Sequence, residues 1–321
     1  MLGGLTAGAA GLALGLPRRA SAAAPLNVVA TTAMIADAAR AIGGELVDVT
    51  TLMGPGVDPH AYRQTRSDVA AMASADLVLW NGLYLEAQLE DFLASLSERV
   101  PVVAVAEALP VDQRIGHDDY ADRFDPHLWI VPELWATAVG AVREALTRGF
   151  DGSFPTMAEV LGEAHFAYGQ EIEAMGAYAA QVLATVPEEA RVLITAHDAF
   201  NYFGRAYGYE VVGIQGISTE SEAGLKRIDD LVAMLVERGV GAVFAESSVS
   251  ERNVQALIEG AAAQGHEVRL GGALFSDAMG EPGSYEGTYI GMIDHNATTI
   301  ARALGGEAPA RGMHGRLGGE G

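Results

Sequence analysis

Between Pro155 and Thr185 the chain runs for some thirty residues with no proline after the first position. Apolar residues recur at helical spacing: Val160, Leu161, Ala164, Tyr168, Ile172, Met175, Ala179, Val182 and Leu183. That period predicts one helix, about 45 Å long at 1.5 Å per residue. A rod of this length reaches across two compact units, so it constrains everything placed before and after it. Gly162, Gly169 and Gly176 recur every seven residues along it. They weaken helix propensity slightly but offer one smooth face for close approach. The competing expectation is two helices broken near Gly169.

The segments on either side share one grammar. Before the helix, apolar strands are predicted at 26–32, 47–53, 76–82 and 102–105. They alternate with helices at 34–42, 66–73, 83–96 and 132–146. After it, strands at 191–195, 210–214, 241–245 and 267–270 alternate with helices at 199–207, 225–239, 249–265 and 285–304. Such alternation implies mostly parallel sheets covered on both faces. The expected fold is α/β, with an N-terminal lobe at 25–150, the interlobe helix within 151–187 and a C-terminal lobe at 188–304. A length of 321 residues fits two domains.

The termini read differently. Leu2 to Leu16 is apolar, and Ala20-Ser21-Ala22-Ala23-Ala24 has the small-residue spacing of a signal-peptidase site. Residues 1–24 are therefore expected to be a signal peptide, although no Lys or Arg precedes the apolar run. The run is too short for the ~20 residues that span a bilayer. The Gly-rich segment 305–321 is aperiodic and expected to be a disordered tail.

A formal charge of −22 argues against nucleic acid and anionic membranes as partners. A negative field instead concentrates cations. The chain has no cysteine, so disulfides, thiolate metal sites and Cys nucleophiles are excluded. Attachment of lipid through Cys is likewise not expected. A bound metal needs nitrogen and oxygen ligands.

Those ligands are few. The chain has eight histidines, and two sit in the same setting, Asp58-Pro59-His60 and Asp125-Pro126-His127. Proline fixes its own φ and keeps the preceding residue out of the helical region, so each imidazole is mounted on a stiff, extended turn. In open α/β sheets, ligands bind beyond the carboxyl ends of strands. Placed there are His60, His127, His197 and Asp277, two from each half, together with Glu246. Glu246 reads as a carboxylate supporting a ligand imidazole or as a helix cap, and Asp277 has the alternative of an N-cap. Asp58 and Asp125 have the alternative of metal ligands but, as neighbours of proline, read as turn-orienting residues. His117, His165, His266, His295 and His314 read as ordinary polar histidines.

Five motifs in order carry a resemblance: Asp58-Pro-His-Ala-Tyr62, Asp125-Pro-His-Leu-Trp129, Ile194-Thr-Ala-His-Asp-Ala-Phe200, Gly216-Ile-Ser-Thr-Glu220 and Leu274-Phe-Ser-Asp-Ala-Met-Gly280. With them the chain resembles, over about residues 26–304, the metal-binding periplasmic solute-binding proteins of ABC transporters, the TroA-like group. The resemblance implies two α/β lobes joined by a rigid helix. It also implies one divalent ion held by His60, His127, His197 and Asp277, and delivery of that ion to a membrane permease. Three imidazoles and a carboxylate favour Zn2+ over Mn2+, which prefers more oxygen. A short acidic loop at His117-Asp118-Asp119 reads as a solvated turn or a weak metal funnel. Two other functions compete: a zinc hydrolase with Glu246 as base, and a binder of metal chelates, whose pocket would need exposed aromatic walls, whereas Trp129 and Tyr62 near the ligands are expected to pack beside them. The expected state is a monomeric periplasmic protein.

Overall fold

The computed structural model describes residues 24–117, 120–150 and 155–318. The expected signal peptide lies outside them but for Ala24, as do Asp118 and Asp119 of the acidic loop. In the N-terminal lobe the elements are β1 (Leu26–Ala30), α1 (Ala33–Gly43), β2 (Val47–Thr51), α2 (Arg66–Ser74), β3 (Leu77–Trp80), α3 (Glu90–Leu96), β4 (Val102–Ala104), β5 (Gly116–His117), β6 (Tyr120–Phe124) and α4 (Pro132–Gly149). The long helix is α5 (Pro155–Leu183). The C-terminal lobe follows with β7 (Val192–Thr195), α6 (Asn201–Tyr207), β8 (Glu210–Gly213), α7 (Leu225–Arg238), β9 (Ala242–Glu246), α8 (Arg252–Ala263), β10 (Arg269–Leu274) and α9 (Tyr289–Ala303).

The N-terminal sheet is parallel, in the order β2-β1-β3-β4. Its strands obey the period of two. Val28, Ala30, Leu77 and Leu79 face one core, while Val29 and Val78 face another with Met72, Leu89 and Leu93. The C-terminal lobe has parallel pairs β7–β8 and β9–β10, with β7 beside β9. There Leu193 and Phe244 point to the first core, and Val192, Ile194 and Val243 to a third, packed under α7 and α8. A parallel sheet buried on both faces explains the near-continuous apolar strands.

The first core is shared by both lobes, and α5 runs through it. α5 is one 29-residue helix with no break at Gly169. It packs on α1 and α4 from one lobe and on α9 from the other. Its buried residues are Leu161, Tyr168, Ile172, Met175, Ala179, Val182 and Leu183. The smooth-face expectation holds at one glycine only. A Cβ on Gly176 would press on the ring of Pro132, whereas Gly162 and Gly169 face open space. Asp37 of α1 ties α1, α5 and α9 together, accepting from the Tyr168 hydroxyl (2.8 Å) and the Tyr289 backbone N–H (3.2 Å).

Three expectations are corrected. The predicted helix over 83–96 forms only from Glu90. Leu83 and Tyr84 adopt φ of 52° and 72°, a region that L-residues seldom enter. This turn brings the buried Glu86 carboxylate onto the Thr31 hydroxyl (2.6 Å) and the backbone N–H groups of Asn81 (2.8 Å) and Gly82 (3.2 Å). The strand after α8 runs on to Leu274, with its register shifted between Leu270 and Ala273. The tail is not a loose end over 305–318. Asp294, buried in α9, accepts the Met313 N–H on both oxygens at 3.0 Å, and Leu317 is buried. Gly312, at φ 70°, lies so close to that carboxylate that a side chain would collide with it. The Gly-rich composition thus serves close approach rather than disorder.

Candidate metal centre

Both Asp-Pro-His turns fold alike. Asp58 Oδ1 accepts the His60 N–H, and Asp125 Oδ1 accepts the His127 N–H, each at 2.9 Å. An aspartate bonding the backbone two residues on is an Asx turn, and the intervening proline stiffens it. The two carboxylates then diverge. Asp125 Oδ1 also lies 2.7 Å from His127 Nδ1, while its Oδ2 receives the Asn201 amide (3.1 Å). Asp58 Oδ2 instead receives the Thr219 hydroxyl from the other lobe (2.5 Å).

From the C-terminal lobe, His197 lies two residues beyond β7 and Asp277 three residues beyond β10. Glu246, the last residue of β9, holds His197 twice. Its Oε1 accepts the backbone N–H (2.8 Å), and its Oε2 faces Nδ1 (2.5 Å). With Nδ1 engaged in both His127 and His197, each ring turns Nε2 toward the interlobe space, the arrangement that fixes tautomer and orientation in metal-binding imidazoles.

All four side chains are buried. One donor atom from each lies within 4.8 Å of every other. His127 Nε2 is 3.2 Å from His60 Nε2 and 3.4 Å from His197 Nε2. Asp277 Oδ2 is 3.2 Å from His197 Nε2 and 3.9 Å from His60 Nε2, and Oδ1 is 3.4 Å from His127 Nε2. Donors around a tetrahedral ion with bonds of about 2.0–2.1 Å stand about 3.4 Å apart. The spacing is therefore that of a small ion's coordination shell. Neither Asp277 oxygen has a hydrogen-bond partner among the described residues. An ionised carboxylate buried in this way needs positive charge beside it; protons on His127 and His197 supply it when no metal is bound, and a metal ion would take their place.

The protonation pattern follows from the same contacts. Burial lowers His60 to about 3. Burial also pulls on His127, but Asp125 and Asp277 outweigh it and raise that ring to about 9. His197 is raised well above its ordinary value, because Glu246 and Asp277 overcome the same burial. Burial pushes the Asp277 carboxyl up, yet proton-bearing His197 and His127 hold it well below the usual range.

The structure brings His60, His127, His197 and Asp277 together and sets Glu246 behind His197. His266 and His295 bond the backbone carbonyls of Val240 (2.8 Å) and Ala273 (2.9 Å), as ordinary polar histidines do. The contact of Asp125 with the His127 ring and that of Thr219 with Asp58 were not anticipated. The Asp-x-His spacing carries the signal for the first, whereas the second joins residues 161 apart. Both oxygens of Glu246 are committed to His197, so the base that a hydrolase needs is turned away from the cluster. Trp129 packs beside the His127 ring, as expected. It is buried, with Nε1 donating to Ser276 O at 2.7 Å.

Two α/β lobes sharing a long helix, with a buried three-histidine, one-aspartate cluster between them, define the metal-binding class of two-lobed solute receptors. The chain belongs to the family described as zinc-uptake complex component A, periplasmic, whose model matches residues 28–303. It is similar to the manganese-binding lipoprotein MntA of Bacillus subtilis (strain 168), 46% identical over 284 residues, 88% of this chain and 91% of that protein. It is also 45% identical over 277 residues to the zinc-binding protein TroA of Treponema pallidum (strain Nichols), covering 86% of this chain and 88% of that one. The solved structure of the periplasmic zinc-binding protein TroA from Treponema pallidum superposes with a TM-score of 0.84 at 45% identity, covering 87% of this chain and 99% of that one. Members of this family are solute-binding proteins.

One expectation is overturned by these relatives. The lack of cysteine had implied a protein without a lipid anchor, yet the Bacillus relative is named a lipoprotein. Other relatives, among them MntA of Halalkalibacterium halodurans and PsaA of Streptococcus anginosus, are named lipoproteins as well.

Proposed function

We propose that this protein captures one divalent metal ion between its lobes and delivers it to the permease of an ABC transporter, acting as a monomer. The observation that carries the reading is the convergence of four buried side chains, with the inward-facing Asp277 carboxylate ringed by three Nε2 atoms at 3.2–3.9 Å. His60 and His127 are the ligands of the lobe at 25–150, His197 and Asp277 those of the lobe at 188–304, and 151–187 holds the two together. Glu246 and Asp125 orient imidazoles and stay off the ion. A site closed by four protein ligands leaves no position for an activated water, so capture is favoured over catalysis.

Zn2+ is the favoured cargo, because three nitrogens and one oxygen at tetrahedral spacing suit it. One observation supports Mn2+ as the second reading. Both Asp277 oxygens face imidazole nitrogens, so bidentate binding would raise the coordination number toward that ion's preference. The relatives named for zinc and for manganese fit either. The test is metal content of the protein isolated from its native cell, with competition titration of Zn2+ against Mn2+. One ion per chain, lost in His60→Ala, is expected; a chain that binds neither ion sinks the reading. Zinc binding tighter in vitro does not by itself name the cargo, since the Irving–Williams order favours it at most sites.

A further inference from the structure

The four proposed ligands are buried, so an ion can enter or leave only if part of the protein moves. The two sides of the cluster differ in what would have to move. On one side the lobes are sealed by buried aromatic contacts. Trp129 Nε1 donates to Ser276 O (2.7 Å), Tyr202 OH to Asp125 O (3.0 Å) and Tyr289 OH to Trp129 O (2.9 Å), with the shared core behind them. On the other side the cover is thin. The loop between β8 and α7 reaches across from the C-terminal lobe, and among the described residues two side-chain hydrogen bonds hold it to the N-terminal lobe. Thr219 Oγ1 donates to Asp58 Oδ2 (2.5 Å), and Gln88 Nε2 to Glu220 Oε1 (2.6 Å). Gln88 and Glu220 are exposed, and Thr219 and Asp58 are half-buried. Few buried contacts and solvent-exposed bonds mark a segment that opens at low cost.

We propose that the loop 216–222 is the gate of the metal site and that Thr219 is its latch. Asp58 makes the latch more than a lid. Its Oδ1 caps the backbone N–H of His60 while its Oδ2 holds Thr219. Releasing the hydroxyl frees the carboxylate that stiffens the His60 turn, so opening the gate and loosening one ligand are a single event. Thr219 is thus a positioning residue for ion exchange and touches no ion. The proposal rests on the reading of the cluster as a metal site.

A latch made whether or not the ion is present controls both directions of exchange. Removing a hydrogen bond to a carboxylate should raise association and dissociation rates together by about ten-fold, with the Kd moving far less than either. Stopped-flow mixing of the full chain with Zn2+, followed by Trp129 fluorescence beside His127, gives the first rate. Competition with a chelator gives the second. Thr219→Val and Thr219→Ala should speed both, and Thr219→Ser should restore wild-type rates. A second measurement does not depend on these variants. The chain has no cysteine of its own, so Gln88→Cys with Glu220→Cys can be joined by a short thiol cross-linker. The cross-linked protein should exchange zinc at least about ten-fold more slowly than the same protein uncross-linked. Exchange unchanged by the valine variant and by the cross-link overturns the gate. So does a rise in dissociation alone, which would make Thr219 a ligand-strengthening residue. Wild-type protein that takes up no zinc at all is a different result, and it overturns the reading of the site itself.

Discussion

Glu246 grips His197 at two points, the backbone N–H at 2.8 Å and the ring Nδ1 at 2.5 Å. One carboxylate therefore fixes both the position of the residue and the direction of its ring. Glu246→Gln keeps an oxygen for the backbone N–H but loses the charge that holds the Nδ1 proton. Loss of such a supporting carboxylate typically costs 10–100-fold in metal affinity. A chelator-competition titration should find that weakening for Zn2+ with the melting curve of the metal-free protein little moved. An affinity within two-fold of wild type would show that the grip does not serve the ion.

The pH dependence follows from opposite shifts within one cluster. His127, raised to about 9, and His197, raised well above its ordinary value, keep protons at neutral pH, whereas His60, lowered to about 3, is already neutral. An ion must take the Nε2 lone pair, so it competes with those protons below their pKa values. Affinity should therefore climb as pH rises from about 6 to about 9, by up to ten-fold per pH unit for each proton displaced. In weakly buffered solution at neutral pH, binding should release about one to two protons per ion. An isolated imidazole would place the change near 6.5; the neighbouring carboxylates move it upward. A Kd flat over this range, with no acid released, contradicts the assignment.

Bound ion should stabilise the fold by mass action. At free zinc of about 1,000 Kd the gain is about 4 kcal/mol, read as a rise in Tm that a chelator reverses. His127→Ala should abolish the rise, because it removes the ligand nearest the other two imidazoles. A zinc-dependent Tm shift that survives in this variant would place the ion elsewhere.

Tyr168→Phe tests the helix junction away from the cluster. It removes one of the two hydrogen bonds that Asp37 accepts, in a half-buried setting. The expected loss is about 1–3 kcal/mol, measured as a lower denaturant midpoint, with zinc affinity within two-fold of wild type. A midpoint equal to wild type would mean the Asp37 junction contributes nothing.

Much of this molecule was legible in the sequence, for physical reasons particular to each element. Proline in Asp-Pro-His leaves the backbone little choice, so the two Asx turns could be read from three letters each. Parallel strands buried on both faces are nearly uninterrupted apolar runs, and α5 carries its own period. What escaped was set by partners far along the chain. The apolar residues at 83, 85 and 89 mimic a helical face, but the turn there is dictated by a buried Glu86 satisfied by Thr31, Asn81 and Gly82. The order of the tail comes from the Asp294 carboxylate of α9, which no composition count over 305–321 contains. The Thr219–Asp58 contact joins two loops that share no local signal.

The run of α5 through a core common to both halves bears on how such a chain can be cut and recombined. Leu193 and Phe244 from the C-terminal strands and Val28 and Leu77 from the N-terminal ones belong to a single apolar body with Ile172 and Met175 between them. Each half keeps a core of its own on its far side, but neither closes this shared one alone. A chimera that exchanged one half for that of a relative would have to exchange the matching stripe of α5 as well, and two separately expressed halves would each expose the surface that the other was meant to cover. The lobes can be named separately but not inherited separately.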